Sequence, residues 1–290
     1  MDLAYLREHP QHLPTFLTHQ RIRETPVPGG VCRAARLTLD DGTSLFAKSW
    51  PSGSAPDGFF AAEAAGLRWL AEAGAPVPEL LSVTHDLLAV AWIEPGDPSP
   101  AAARRLGREL AALHRRGASA FGADWPGFIG PLPLDNTPSP EPWSAWFAAR
   151  RLAPYLRTSA DRGALDPDDV RAVERIIATI DRYAAEEPPA RTHGDLWPGN
   201  VLWANSGRAW LIDPAAHGGH RETDLANLAL FGGAPHLDQV LSAYREVWPL
   251  ADGWRERIPL HQLHLLLVHT AAFGASYRAS VRAAADAVLR

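Results

Sequence analysis

The chain has 290 residues, 46% of them hydrophobic and 21% charged, with a net charge of -5. That length suits two lobes or one large domain with a sizeable core, and the negative balance argues against general nucleic-acid binding. The single cysteine, Cys32, excludes an internal disulfide and any cysteine-based zinc site. The opening MDLAYLREHPQHL lacks the basic segment and apolar core of a secretory signal. No apolar run reaches the roughly 18 residues of a membrane span, so the expected compartment is the cytoplasm.

Residues 1–24 read as a polar amphipathic helix with a loop around Pro10 and Pro14. Thr25 to Lys48 reads as a β-rich unit. Gly29 and Gly30 make a turn, Cys32 to Leu39 a strand, Asp40 to Thr43 a hairpin turn, and Leu45 to Lys48 the returning strand. A glycine turn lets backbone N–H groups approach phosphates, though two adjacent glycines also suit an ordinary hairpin. Lys48 is the one lysine among 28 basic residues. A compact ammonium is what a site beside phosphate oxygens requires, where arginine would present a planar fork. Phe59 to Ala73 reads as a helix. Its Glu63 is placed to pair with Lys48, the alternative being a surface glutamate. Leu80 to Val83 and Leu87 to Ile93 read as strands, and Glu94-Pro95-Gly96 breaks the second at a natural lobe boundary. The backbone of Ala91, Trp92 and Ile93 is positioned to meet an adenine edge.

Helical periodicity follows over Ser99–Arg116, Trp143–Leu156 and Pro167–Ala185, with a Gly/Pro-rich loop from Phe121 to Pro142. His114 reads as a core or capping histidine. Then comes Arg191 to Asp224, with His193-Gly194-Asp195, Asn200 five residues after Asp195, and a strand-like Ala209–Ile212 delivering Asp213. Phosphoryl transfer needs a carboxylate to orient and deprotonate the acceptor hydroxyl, and oxygen ligands to hold Mg²⁺ against ATP. H-x-D-x-x-x-x-N followed by a strand-borne Asp meets that need in outline, with Asp195 as base and Asn200 and Asp213 as metal ligands. HGD alone equally suits a turn. The remaining helices read as Leu225–Phe231, Leu237–Trp248, Pro259–Tyr277 and Ser280–Leu289. His261, His264 and His269 do not show the spacing of a helical zinc site.

THGDLWPGN (192–200) and IDPAAHGGHRETDLA (212–226) resemble the fructosamine kinase (ketosamine-3-kinase) family, within the wider aminoglycoside phosphotransferase and choline kinase group. GGVCRAARLTLDDGTSLFAK (29–48), AAEAAGLRWL (61–70), FIGPLP (128–133), WFAARRLAPYLR (146–157) and LFGGAP (230–235) agree with it. The resemblance runs from about Gly29 to Tyr277. It implies a kinase-like fold, ATP with Mg²⁺, and a sugar–amine adduct as acceptor. Lys48 and Glu63 would then be the phosphate-binding ion pair. Trp197 and His269, with His220 and Glu222, would border the acceptor pocket, the last two alternatively bracing the metal loop. Asp224 would pin the catalytic loop. Pro198 stands where the family usually has serine, and Ala216-His217-Gly218 where it tends to carry bulkier residues, which leaves the sugar open. Cys32 falls where the family often has a cysteine, so a Cys32-linked homodimer is an alternative to a monomer.

The expected architecture is α+β and bilobal, a protein-kinase-like fold. A small antiparallel-sheet lobe spans 1–93 for ATP, and a mostly helical lobe spans 94–290 for catalysis and acceptor binding. The expected reaction is ATP-dependent phosphorylation of a free or protein-bound ketosamine, at the 3-hydroxyl, in deglycation. The alternatives are a phosphotransferase of the same fold acting on an aminoglycoside, choline or a free sugar, a nucleotide-binding regulator without catalysis, and a structural scaffold. No nucleic-acid or membrane partner is expected.

Overall fold

The computed structural model describes residues 2–17 and 22–290. Two short helices, α1 (Leu3–Glu8) and α2 (Leu13–Leu17), precede the strands β1 (Arg23–Val27), β2 (Arg33–Thr38) and β3 (Ser44–Ser49). Helix α3 (Phe59–Glu72) follows, then β4 (Leu80–Val83) and β5 (Leu87–Ala91). The five strands form one antiparallel sheet in the order β1-β2-β3-β5-β4. Alternation along the strands divides its two faces. Ala35, Leu37, Leu45 and Ala47 pack outward against Leu6 and Leu13. Phe46, Leu88 and Val90 pack inward with Phe60, Leu67 and Leu70 of α3.

The first 24 residues keep the expected break near Pro10 but form two short helices and the start of a strand rather than one amphipathic helix. Asp2 caps α1 and a 3-10 turn at Pro10–His12 separates it from α2. Leu6 and Leu13 then cover the outer sheet face, and Arg23 already belongs to β1; residues 18–21 of that expected helix lie outside the described residues. The Asp-Gly hairpin forms as expected, with Asp41 accepting from the Thr43 N–H and hydroxyl.

After β5 the chain is mostly helical. Ser99 caps α4 (Pro100–Arg115). The Gly/Pro-rich loop contains a small hairpin, β6 (Gly127–Ile129) with β7 (Leu132–Leu134). The helix expected over Trp143–Leu156 is α5 (Trp143–Phe147), a π-helical turn at Ala148–Leu152, and α6 (Ala153–Asp161). Pro154 has no N–H to return to Arg150, and the Ala153 N–H reaches back to the Ala148 carbonyl instead. Helix α7 (Pro167–Ala178) stops earlier than periodicity suggests, because Thr179 leaves helical geometry at φ -130. Two short ribbons frame the central stretch. In these, β8 (Ala190–Thr192) pairs with β11 (His217–Gly219), and β9 (Val201–Trp203) with β10 (Ala209–Leu211). Helix α8 (Arg221–Asn227) starts earlier than expected, capped by the His220 imidazole. The last helices are α9 (Leu237–Val247), α10 (Trp254–Phe273) and α11 (Arg278–Val288).

One core joins α3, α4, α9 and β10 through Leu67, Leu106, Leu110, Leu211, Val240 and Tyr244. Another joins α5–α7 to α10 and α11. The fold is α+β and bilobal, sheet first and helices after. Among the described residues no helix is long and apolar enough to cross a membrane.

Candidate active site

A cavity of about 670 Å³ lies between the sheet and the helical half, walled by Gly29, Gly30, Lys48, Glu63, Asp195, Trp197, Asn200, Asp213 and His269 among others. Gly29 and Gly30 have φ values of 116° and 76°, a region L side chains rarely adopt, so only glycine holds this turn open beside the cavity. On β3, Lys48 shares the inward face with Phe46, and Glu63 projects from the second turn of α3. The Lys48 Nζ lies 2.6 Å from Glu63 Oε2 and 2.9 Å from Asp213 Oδ1, and only 7% of the residue is exposed.

The catalytic-loop stretch is fixed from behind. Asp224 is fully buried at the first turn of α8 and accepts from the N–H groups of His193 (2.7 Å) and Gly194 (3.0 Å) and from His114 Nε2 (3.1 Å). His193 donates from Nε2 to the Ile212 carbonyl at 2.9 Å, and its Nδ1 accepts the Asp195 N–H at 3.3 Å. One imidazole thus ties the loop carrying Asp195 to the strand end carrying Asp213. At Gly194, a Cβ would stand 2.2 Å from the Ala215 carbonyl oxygen, which is why the loop can lie this close. Asn200 donates from Nδ2 to the Asp195 carbonyl (2.8 Å) and carboxylate (3.0 Å). Its amide orientation is set by those acceptors, which leaves Oδ1 for a cation. Asp213 takes the left-handed conformation at φ 53°, uncommon for a non-glycine residue, and its side chain is 48% exposed.

The cavity wall carries three carboxylates, Glu63, Asp195 and Asp213, against one ammonium. Burial alone would lower the Lys48 pKa, but Asp213 and Glu63 more than offset it, and the ammonium keeps its proton above the ordinary range. Burial pushes Glu63 up to about 7, with Asp213 adding and Lys48 opposing. Asp195 lies well above the usual carboxylate range, through burial first and then the charge of Asp213, with Asn200 opposing. Excess negative charge of this kind calls for a cation. A carboxylate and an amide oxygen are hard donors, so Asp213 and Asn200 fit Mg²⁺.

Five of the expected site residues fall elsewhere. Ala91, Trp92 and Ile93 do not line the cavity. Strand pairing turns the first two amides away: the Ala91 N–H donates to the Glu79 carbonyl and the Trp92 N–H to that of Ser44. His220 and Glu222 are buried behind the site rather than facing it. Glu222 receives both arms of Arg257, at 2.8 and 2.6 Å, and sits at about pKa 2. Burial opposes that low value, and the hydrogen bonds from Arg257 and His261 outweigh it. His220, Glu222 and His261 bring ligand-type atoms within 4.8 Å of one another. They brace α8 against α10 rather than form a metal centre. His220 accepts the Glu222 N–H at Nδ1, so its proton is on Nε2, and Arg257 occupies the carboxylate. Cys32 is half-buried in the cavity wall, and burial raises its thiol to about 11, an environment that opposes thiolate formation and hence disulfide exchange.

Trp197 and His269 do line the cavity. The structure adds neighbours that periodicity assigned no role. Phe231, Phe273 and Tyr277 surround His269 with ring centroids 4.9, 5.7 and 4.7 Å away. His114 is another, since no spacing rule links it to Asp224, 110 residues on.

Fold and site together define a kinase-like phosphotransferase. The profile of the fructosamine kinase family matches residues 9–290. A candidate fructosamine-3-kinase of Thermobifida fusca, known from a crystal structure, is 50% identical with a TM-score of 0.89, over 96% of this chain and 98% of that one. A probable ketoamine kinase of Thermus thermophilus is 40% identical over 223 residues, 77% of this chain and 79% of its own. A thermostable mutant of aminoglycoside phosphotransferase APH(4)-Ia, solved with ADP and hygromycin B, shares the fold at 18% identity and a TM-score of 0.64, over 96% and 98% of the two chains. The chain belongs to the fructosamine kinase family.

Proposed function

We propose that this enzyme transfers the γ-phosphoryl group of Mg·ATP to a hydroxyl of a ketosamine, the 3-hydroxyl, and so assists later loss of the sugar from its amine. The observation that carries the reading is the convergence of Lys48–Glu63, Asp195, Asn200 and Asp213 on one cavity, in a chain of this family. Asp195 orients the acceptor hydroxyl and takes its proton. The hydroxyl oxygen bonds to the γ-phosphorus as the bond to the β–γ bridging oxygen breaks, and ADP leaves. Its raised affinity for a proton suits Asp195 to that task. Lys48, aligned by Glu63, is the charge for the phosphates, and the Gly29–Gly30 turn lies where backbone can approach them. Asn200 and Asp213 would hold Mg²⁺, which when bound neutralises phosphate oxygens. Trp197 and His269 border the acceptor. We assign ATP binding to residues 1–93 and catalysis with acceptor binding to 94–290, and place the reaction in the cytoplasm, where ATP is supplied.

Phosphate transfer from Mg·ATP to ribulosamine, erythrulosamine, fructosamine, choline and kanamycin tests this, with Asp195→Asn as control. Transfer to a ketosamine, lost in the variant, is the expected result, and product NMR identifies the hydroxyl. Transfer only to choline or kanamycin would overturn the ketosamine assignment.

A further inference from the structure

Among the described residues three large hydrophobic side chains are exposed, Tyr5, Phe231 and Phe273; Phe273 lines the cavity, and Phe231 packs against the lining rings of Trp197, His269 and Tyr277. Phe273, 55% exposed, is the last residue of α10 and lines the cavity with Tyr277 and His269. Phe231, 43% exposed, packs on His269, on Tyr277 at 5.8 Å and edge-on to Trp197 at 5.9 Å. The five rings form one continuous wall running from the catalytic loop to solvent. Phe231 holds its place in a left-handed conformation, φ 52° and ψ 40°, ahead of Gly232 and Gly233. A phenylalanine in that conformation is strained, and strain of this kind concentrates at ligand sites.

Among the described residues the wall also lacks counter-charge. The acidic residues lining the cavity are Glu63, Asp195 and Asp213, each already committed to Lys48, to the acceptor hydroxyl or to a cation. His269 donates from Nδ1 to the Leu265 carbonyl at 2.7 Å, and burial lowers its pKa, so it adds a neutral ring. A ketosamine with its hydroxyl at Asp195 has one part left to place, the substituent on its amine. We propose that this arm lies along Phe231, Phe273 and Tyr277, and that the enzyme selects ketosamines whose amine carries an apolar or aromatic group. Recognition is by ring faces and apolar contact rather than by ion pairing, and the ammonium itself gains from the same faces.

This rests on the ketosamine reading above, and the experiment separates the two. Two ribulosamines are made from the same sugar, one on methylamine and one on benzylamine, and kcat/KM is measured for both. The ratio of the two values is the readout, because it does not depend on how much of a variant is folded. Wild-type enzyme is expected to prefer the benzyl compound by roughly tenfold, the worth of sheltering much of one ring from water. Phe231→Ala and Phe273→Ala should each lower that ratio, the pair together bringing it near one, and Phe273→Leu should retain part of it. A wild-type ratio near one, or a ratio unchanged in both alanine variants, would overturn the inference while leaving ketosamine phosphorylation intact. Failure to phosphorylate either compound, with Mg·ATP still raising the melting temperature, would sink the ketosamine reading and this inference with it.

Discussion

Two clusters of acidic and imidazole side chains grow from the same stretch, residues 191–224, and the structure treats them in opposite ways. In the cleft, Asp195 and Asp213 face a cavity with Glu63, and a single ammonium answers three carboxylates. Behind it, the Asp224 carboxylate is closed by three donors, and Glu222 by Arg257 and His261. Residue type does not distinguish them, since acidic side chains lie at the centre of both. The front cluster differs in leaving charge unbalanced beside open space, where a ligand can complete it. The carboxylates of the rear cluster are already answered, although His220 and His261 each keep one buried Nε2 without a well-aligned hydrogen bond, and its work is to hold the front in place.

The largest expected effect comes from the front. Asp195→Asn keeps shape and removes the proton acceptor, so kcat should fall by ~10²–10⁴-fold with the melting temperature at or above the wild-type value. Steady-state kinetics with calorimetry checks both, and near-wild-type turnover would break the comparison at its centre. The rear cluster should behave in the reverse order. Asp224→Ala strands His114 and two buried amides, and urea denaturation should show a loss of about 3 kcal/mol, with activity falling only as the loop loosens. An unchanged denaturation midpoint would mean that Asp224 is not the anchor.

Acid provides a third test. His217, His220, His261 and His264 are all buried, and desolvation depresses each, His217 to about 3. Their folded-state pKa values lie below the unfolded value of about 6.5, so below that pH the unfolded chain binds more protons and stability falls. The histidine contribution is full above about pH 6.5, while Glu63 and Asp195, whose pKa values are raised, act in the opposite sense and offset part of it as pH falls. Below it the loss is about 1.4 kcal/mol per pH unit for each histidine that stays neutral, continuing for His217 towards pH 3. Melting temperatures that stay flat from pH 7.5 to 5 would contradict this. The smallest effect is expected at Glu63→Gln, which leaves Lys48 its Asp213 contact. The KM for ATP should rise by roughly tenfold with the acceptor KM little changed, as initial rates with each substrate varied would report.

Local pattern reached some of this and not the rest, for identifiable reasons. The hairpin at Asp40–Thr43, helix α3 and strand β10 follow from turn chemistry and periodicity, which act over a few residues. Periodicity failed at Thr179 and in the α5–α6 segment, where one residue departing from helical geometry, or one proline without its N–H, changes the hydrogen bonding. The amphipathic N-terminal segment was legible, but not what its apolar face covers, because that face meets strands more than 20 residues away. For His220 and Glu222 the family resemblance left two readings open, the acceptor pocket and a bracing role. Burial decided for bracing, because helix α10 supplies Arg257 and His261 from the far side.

What the sequence by itself determined is the set of groups that the proposed chemistry calls on: one lysine, a glycine pair, and H-x-D-x-x-x-x-N followed by a strand-borne aspartate. Such groups are legible because their spacing is a property of the local chain. Only the tertiary structure decided which acidic groups stay open and which are neutralised. Only the tertiary structure, too, carried His114 to Asp224 and gathered Phe231 and Phe273 around His269. Burial and partner choice arise from elements distant along the chain, and no local pattern records which of them will meet.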